Sequence, residues 1–235
     1  MHYLDAFRVP FQSPKWVQNI LLMAVCILIP VVGQIVLMGY MFVVIEALHE
    51  GRKRPYPDLD FGRFVPYLTR GAWPFLVNLV VTLPFALVFM ILYLVALFAV
   101  MGTSANSQGP NPLAMMSVVF GFVMVAMIFS CLIGLVLAPM MLRAGLAQDF
   151  KAGFSVEFVK DFLGRVWKET ILAQLFLLAT GLCLILVGYA LCCVGLYPAA
   201  ALLTFAQYHL WYQLYELYLQ RGGTPIPLKP NAEAP

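Results

Sequence analysis

Four polar residues near the carboxyl end of the chain have the types and spacing of a proton or cation pathway. They are His209, Gln213, Glu216 and Gln220, at successive steps of four, three and four residues. These steps place all four side chains on one face of a helix, and ionisable groups within a membrane commonly mark transport routes. The same stripe also suits hydrogen bonding between helices and anchoring at the membrane interface, because aromatic residues surround it. Both interpretations stay open.

A second polar group ends the first apolar stretch. Glu46 is followed by His49 and Glu50 on the same helical face, and a basic cluster comes directly afterwards. Opposite charges so close in sequence favour pairing. We therefore predict that Glu46 pairs with Arg52 or Arg54.

The sequence offers no motif of a known catalytic class. It lacks HExxH, GxSxG, a Walker loop, GxGxxG and CxxC. The chain has three histidines, and its five cysteines all lie in apolar runs, where packing is their usual role. Met101, Met115, Met116 and the pair at 192–193 offer soft ligands for copper(I), but packing explains them better. We predict no enzymatic activity, no cofactor and no metal site.

Composition indicates a membrane protein. Of the 235 residues, 63% are hydrophobic and 11% are charged, whereas soluble proteins average roughly 25% charged residues. The mean hydropathy is +0.89. A soluble fold of this length could not bury so much apolar surface, so the bilayer must be its solvent. The basic residues adjoin apolar runs, which favours lipid headgroups over nucleic acid as their partners.

The apolar runs predict the topology. We expect an interfacial lead over 1–16, a broken hairpin over 17–48, a flexible tail over 221–235, and transmembrane helices over 73–101, 113–142, 170–191 and 197–219. The first run contains Pro30 and Gly33, so it either crosses once as a kinked helix or bends into a broken or re-entrant hairpin. The hairpin is favoured because it places all fourteen Lys and Arg residues on the cytoplasmic side, as the positive-inside rule requires. Both termini would then be cytoplasmic.

Two polar segments on that side, 59–71 and 153–168, interleave aromatic and basic residues. In the second segment the phenylalanines recur every four residues, which is typical of an amphipathic helix at a membrane surface. We predict that these segments contact lipid headgroups or a partner protein. The residues expected to do so are Arg63, Arg70, Phe154, Phe158, Lys160, Phe162, Arg165 and Lys168.

Short motifs along the chain suggest a family. They are Phe11, Pro14 and Trp16; Ile29, Pro30 and Gly33; Gly39 and Tyr40; Glu50 and Gly51; Pro57, Asp60 and Phe61; and Tyr197, Pro198 and His209. In these residues, over roughly 5–220, the chain resembles an uncharacterised bacterial and archaeal integral-membrane family, a domain of unknown function. The resemblance implies a multi-helix membrane fold, and it brings no activity with it.

The patterns together predict an all-α polytopic transmembrane bundle, a single domain over 1–235, with an N-terminal broken hairpin and two cytoplasmic-face amphipathic helices. The favoured function is a non-catalytic accessory or scaffolding subunit of a larger inner-membrane assembly, because the chain lacks a catalytic constellation and elaborates its cytoplasmic face. The alternative is a small oligomeric transporter or channel for an ion or small solute, lined by the broken hairpin and the polar stripe. Expected partners are membrane lipids and either another membrane protein or a second copy of the chain, in the bacterial inner membrane.

Overall fold

The computed structural model describes residues 1–51, 57–104, 112–191 and 194–229, and all regular structure in these ranges is helical. This confirms the all-α prediction. A short helix α1 (Asp5–Arg8) and a 3-10 turn (Val9–Gln12) lead into α2 (Trp16–Leu28) and α3 (Val32–His49). A second 3-10 turn (Phe61–Arg63) precedes α4 (Phe64–Ser104), α5 (Pro112–Ala147), α6 (Phe150–Gly153), α7 (Val156–Ala190) and α8 (Leu196–Gln220).

Four helices are long and apolar enough to cross a membrane, which is the make-up of a membrane protein. They are Val32–His49, Phe61–Gly102, Pro112–Ala147 and Val156–Ala190. The set differs from the predicted one in a single helix. α8, predicted as a crossing over 197–219, is not among the four, whereas α3 is. The polar stripe and the many tyrosines of α8 make it less apolar than the others.

The structure divides the predicted single domain into two compact units. The core unit comprises Met1–Val77 and Leu135–Pro235, and the apolar unit comprises Asn78–Gly134. α4 and α5 each contribute residues to both units. The predicted polar residues that might carry chemistry all belong to the core unit.

The N-terminal run folds as a hairpin of two helices. α2 ends at Leu28, Pro30 follows, and α3 begins at Val32. The bend places Val31 at a φ of 63°, a conformation that a β-branched residue rarely adopts. Gly33 allows the two helices to meet beside the bend, since a Cβ there would lie 1.9 Å from the Cys26 carbonyl oxygen. The run is therefore broken into two helices at the predicted bend.

Close backbone packing joins α3 to the beginning of α4. A Cβ on Gly39 would lie 1.8 Å from the Tyr67 carbonyl oxygen, and a Cβ on Gly71 would lie 1.8 Å from the Ile35 carbonyl oxygen. Only glycine fits at both positions, as is common where membrane helices approach closely. This crossing fixes the side chains that α3 and α4 present to each other.

α8 packs against α1, α2, α3 and α7, and so lies at the centre of the core unit. α7 changes direction at Val166, whose φ of −132° and ψ of 21° are not helical. The segment before this kink lays Phe158 and Phe162 against Tyr218 of α8, with ring centroids 5.6 and 5.1 Å apart. The aromatic stripe of α7 is therefore part of the protein core.

The apolar unit is a helical hairpin closed by aromatic rings. Phe89 contacts Phe122 at 5.5 Å and Phe129 at 5.1 Å, and Tyr93 contacts Phe122 at 5.0 Å. Residues 71–142 contain no charged side chain, so this unit carries none. Large apolar side chains of the unit are exposed, among them Phe98 and Phe120, each at 68%. In a pair of helices each helix covers only one face of the other. The apolar outer faces must therefore be covered by lipid or by another protein.

Candidate functional site

A buried ion pair joins α3 to α4. The Arg70 guanidinium donates to a Glu46 carboxylate oxygen at 2.6 Å, and the two side chains are 1% and 10% exposed. Burial of two charges is tolerated only when they pair with good geometry, which the Gly39–Gly71 crossing provides. The predicted partners Arg52 and Arg54 lie outside the described residues. Arg70 was predicted to face lipid or a partner protein, and this is wrong because its side chain is buried.

Each residue of the α8 stripe has a different environment. Gln213 exchanges hydrogen bonds with the backbone of His2, accepting at 2.8 Å and donating at 3.0 Å. Glu216 lies 2.5 Å from His49 Nδ1 of α3. His209 is buried, and its Nδ1 has no hydrogen-bond partner among the described residues, while Gln220 is exposed. Gln213 and Glu216 therefore hold α8 to the N-terminal lead and to α3.

A third polar cluster lies where the chain leaves the hairpin and approaches α4. Asp58 accepts hydrogen bonds from Asn19 at 2.9 Å and from Ser13 at 2.8 Å, and Lys15 lies 3.9 Å away. Asn19 in turn accepts from the Leu59 backbone N–H at 3.1 Å. The Asn19 hydrogen bond, followed by that of Ser13 and the charge of Lys15, lowers the pKa of Asp58 despite partial burial. The hydrogen bonds of this cluster join the start of α2 to residues 58–59.

A cavity of about 270 Å³ lies at the charged ends of α5, α7 and α8. Its lining is Arg143, Ser155, Glu157, Phe158, Asp161, Tyr218 and Thr224–Pro227. Asp161 accepts from the Tyr218 hydroxyl at 2.7 Å and from Arg165 at 2.8 Å. The Arg143 guanidinium lies over the Phe158 ring, 4.9 Å from its centroid. None of the stripe residues of α8 lines this cavity.

The beginning of the tail covers one side of the cavity. The Thr224 N–H donates to the Tyr218 hydroxyl oxygen at 3.0 Å, and the Ile226 N–H donates to the Tyr215 hydroxyl oxygen at 2.8 Å. Farther along, the Lys229 N–H donates to the Leu146 carbonyl at 3.2 Å, and Ile226 is buried. Residues 221–229, predicted to be flexible, are thus held against α5 and α8 by backbone hydrogen bonds. The sequence signal for this is weak, because isolated prolines and one isoleucine do not identify what they pack against.

The residues predicted to contact lipid or a partner divide into two groups. Arg63, Phe154, Lys160 and Lys168 are exposed, as that prediction requires. Phe158 and Phe162 are buried, so the prediction is wrong for them: the apolar stripe of α7 is covered by α8 itself. Arg165 is half-buried and pairs with Asp161 and with the Arg221 carbonyl.

The described residues contain no group of three or more His, Cys, Asp or Glu side chains arranged to hold a metal ion. Of the residues considered for copper(I), 192 and 193 lie outside the described ranges. What the described polar groups form is a set of paired contacts between helices.

The family comparison covers most of the chain. The model of a family described as "Protein of unknown function (DUF4013)" matches residues 22–193. The chain belongs to the DUF4013 family. This confirms the resemblance to a family of unknown function. No curated protein and no solved structure matches the chain.

The DUF4013 match runs from within α2 to the end of α7. It includes the bend at Pro30 and Gly33 and the close contact at Gly39, and it includes both members of the Glu46–Arg70 pair. The motif residues Phe11, Pro14 and Trp16, and the motif residues of α8, lie outside the matched range. His209 is among the latter. The match brings no activity to the site.

Proposed function

We propose that this protein is a non-catalytic integral membrane protein that serves as an accessory or scaffolding subunit of a larger assembly in the bacterial inner membrane, with both termini in the cytoplasm. The observation that carries the proposal is the apolar unit. It presents uncharged helices whose large side chains, such as Phe98 and Phe120, are exposed to their surroundings. A surface of this kind suits packing against other transmembrane helices, which is driven by van der Waals contact.

The polar groups of the core unit support a structural role for that unit. Glu46 pairs with Arg70, Glu216 with His49, and Gln213 with the His2 backbone. A catalytic group or an ion ligand needs access to its substrate, whereas these contacts are directed at neighbouring helices. The same contacts give less support to the transporter alternative, because they engage Gln213 and Glu216 of the stripe that would line its path.

Site-specific photo-crosslinking in the native membrane tests the proposal. A photoreactive phenylalanine analogue would replace Phe98 or Phe120 in the apolar unit, and Phe11, an exposed aromatic of the core unit (46%), would be the matched control. A subunit should give a crosslinked product of one discrete mass from positions 98 and 120 and none from position 11. Mass spectrometry of that product would identify the partner.

Two results would contradict the subunit proposal. A crosslink only between two copies of the chain would favour the oligomeric transporter, to be tested by ion flux into proteoliposomes with His209→Ala and Glu216→Gln. Lipid adducts alone at both positions would mean that no protein covers the apolar unit.

A further inference from the structure

The cavity in the core unit is lined by charged side chains that are not used in contacts between helices. Arg143 has no carboxylate within ion-pair distance in the described part of the chain, and its recorded contact is with the Phe158 ring. Glu157 likewise makes no hydrogen bond or ion pair with the described residues. Positive and negative side chains thus share one cavity without pairing with each other. A ligand that bears both charges would satisfy both.

The cavity lies at the level where a lipid headgroup would be. Arg143 is the first charged residue after the uncharged stretch 71–142, so it stands where α5 leaves the hydrocarbon. On α7, Trp167 is 50% exposed and Lys168 lies over its ring at 5.7 Å. Tryptophan and lysine are typical of the membrane–water interface. A ligand at this depth is most simply drawn from the bilayer.

The charges of the lining select the headgroup class. Arginine binds phosphate through a planar fork of N–H donors, and the Ser155 hydroxyl, which accepts from the Phe158 N–H at 3.5 Å, retains its own proton to donate. Glu157 and Asp161 offer carboxylate oxygens, which accept hydrogen bonds from a primary ammonium. A purely anionic headgroup would meet two carboxylates, and a quaternary ammonium has no N–H to donate.

We propose that this cavity binds the headgroup of a phosphatidylethanolamine-type lipid, with the phosphate on Arg143 and Ser155 and the ammonium on Glu157 and Asp161. The apolar lining, Phe158 and Pro225–Pro227, then lies beside the less polar part of the lipid. The proposal depends on the membrane placement of the chain and is independent of its role as a subunit.

Native mass spectrometry of the full chain in detergent tests the site. The protein would be titrated with phosphatidylethanolamine, phosphatidylcholine and phosphatidylglycerol that carry identical acyl chains. We expect phosphatidylethanolamine to bind at least about tenfold more tightly than the other two, as one extra charge-assisted hydrogen bond would give. Equal binding of the three lipids would overturn the proposal.

Variants assign the two halves of the headgroup. Glu157→Gln should abolish the preference for phosphatidylethanolamine over phosphatidylcholine, because it removes a carboxylate from the ammonium. Arg143→Gln should weaken all three lipids about tenfold, since each carries a phosphate, and Arg143→Lys should retain most of the binding. The matched control is Arg8→Gln, which alters an exposed arginine of α1 outside the cavity and should leave the binding of all three lipids unchanged.

Thermal unfolding of each variant shows whether a loss of lipid binding is caused by a loss of folding. If Arg143→Gln fails to fold, Arg143→Lys is the variant that tests the role of Arg143. Wild-type lipid binding in both Glu157→Gln and Arg143→Gln would refute the site. Free phosphoethanolamine serves as the soluble probe. If it binds with the same dependence on the two variants while the lipid does not bind, the lipid assignment is wrong.

Discussion

Replacement of Arg70 by methionine should destabilise the core unit more than any change of a surface charge. Arg70→Met removes the cation but leaves the Glu46 carboxylate, which is 10% exposed. A buried charge that loses its ion-pair partner keeps its desolvation penalty but loses the attraction that offset it. Methionine matches much of the arginine stem in volume, so lost packing contributes little.

The expected loss is about 3–5 kcal/mol in the free energy of unfolding, the range for a buried pair deprived of one member. Glu46→Leu should cost a similar amount, because it leaves the Arg70 guanidinium, 1% exposed, without that carboxylate. The double variant Glu46→Leu/Arg70→Met buries no ion and should be less destabilised than either single variant.

Equilibrium unfolding in mixed micelles, followed by helical circular dichroism, measures these differences. The control is Glu169→Gln, which breaks the half-exposed pair of Glu169 with Arg221 (24% and 40% exposed) and should cost about 1 kcal/mol or less. Losses of the same size for Arg70→Met and Glu169→Gln would refute the argument from burial. A double variant that loses the sum of the two single losses would refute the coupling.

Three further predictions concern packing, pH and the tail. Gly39→Ala should lower the free energy of unfolding by about 1–3 kcal/mol, because the new Cβ meets the Tyr67 carbonyl oxygen. The control Gly121→Ala has open space around the new Cβ and should not lower the free energy of unfolding in the same assay. The Asp58 pKa is lowered in the folded chain, so the stability it contributes is complete above the ordinary aspartate pKa and is lost as pH falls through the lowered value. Asp58→Asn should therefore reduce this acid-dependent loss in a pH series of thermal unfolding, and an unchanged pH dependence would contradict the cluster. Tyr218→Phe removes the hydroxyl that donates to Asp161 and accepts from Thr224. Limited proteolysis should therefore cut residues 221–229 faster in this variant than in the control Tyr189→Phe, which alters a tyrosine that is 60% exposed. Equal cleavage rates in the two variants would contradict this role of Tyr218.

The helical fold and the N-terminal hairpin could be predicted from the sequence because they depend on local signals. Apolar length determines where long helices form, and Pro30 with Gly33 marks the bend. The crossing of α3 and α4 could not be predicted in this way. Gly39 and Gly71 are visible in the sequence, but only the fold shows that each faces the backbone of the other helix.

The pairing of the polar residues could not be predicted, because it depends on contacts between distant parts of the chain. Glu46 and His49 were recognised as polar groups, yet Arg70 and Glu216 are their partners across helices. The stripe of Phe158 and Phe162 shows a related limit. Helical periodicity identifies an apolar face. The period is the same whether lipid or another helix covers that face, so it does not tell the two apart.

The uncharged hairpin of the apolar unit also has a consequence for biosynthesis. Insertion of a helical hairpin requires the connection between its helices to cross the bilayer, and each charged residue at the centre of a helix adds about 2.5–3.5 kcal/mol to insertion. Residues 71–142, which include the connection between α4 and α5, carry no charge. Arg70 and Arg143 stand at the two ends of this stretch, so no charged side chain between them opposes insertion of the hairpin as one piece.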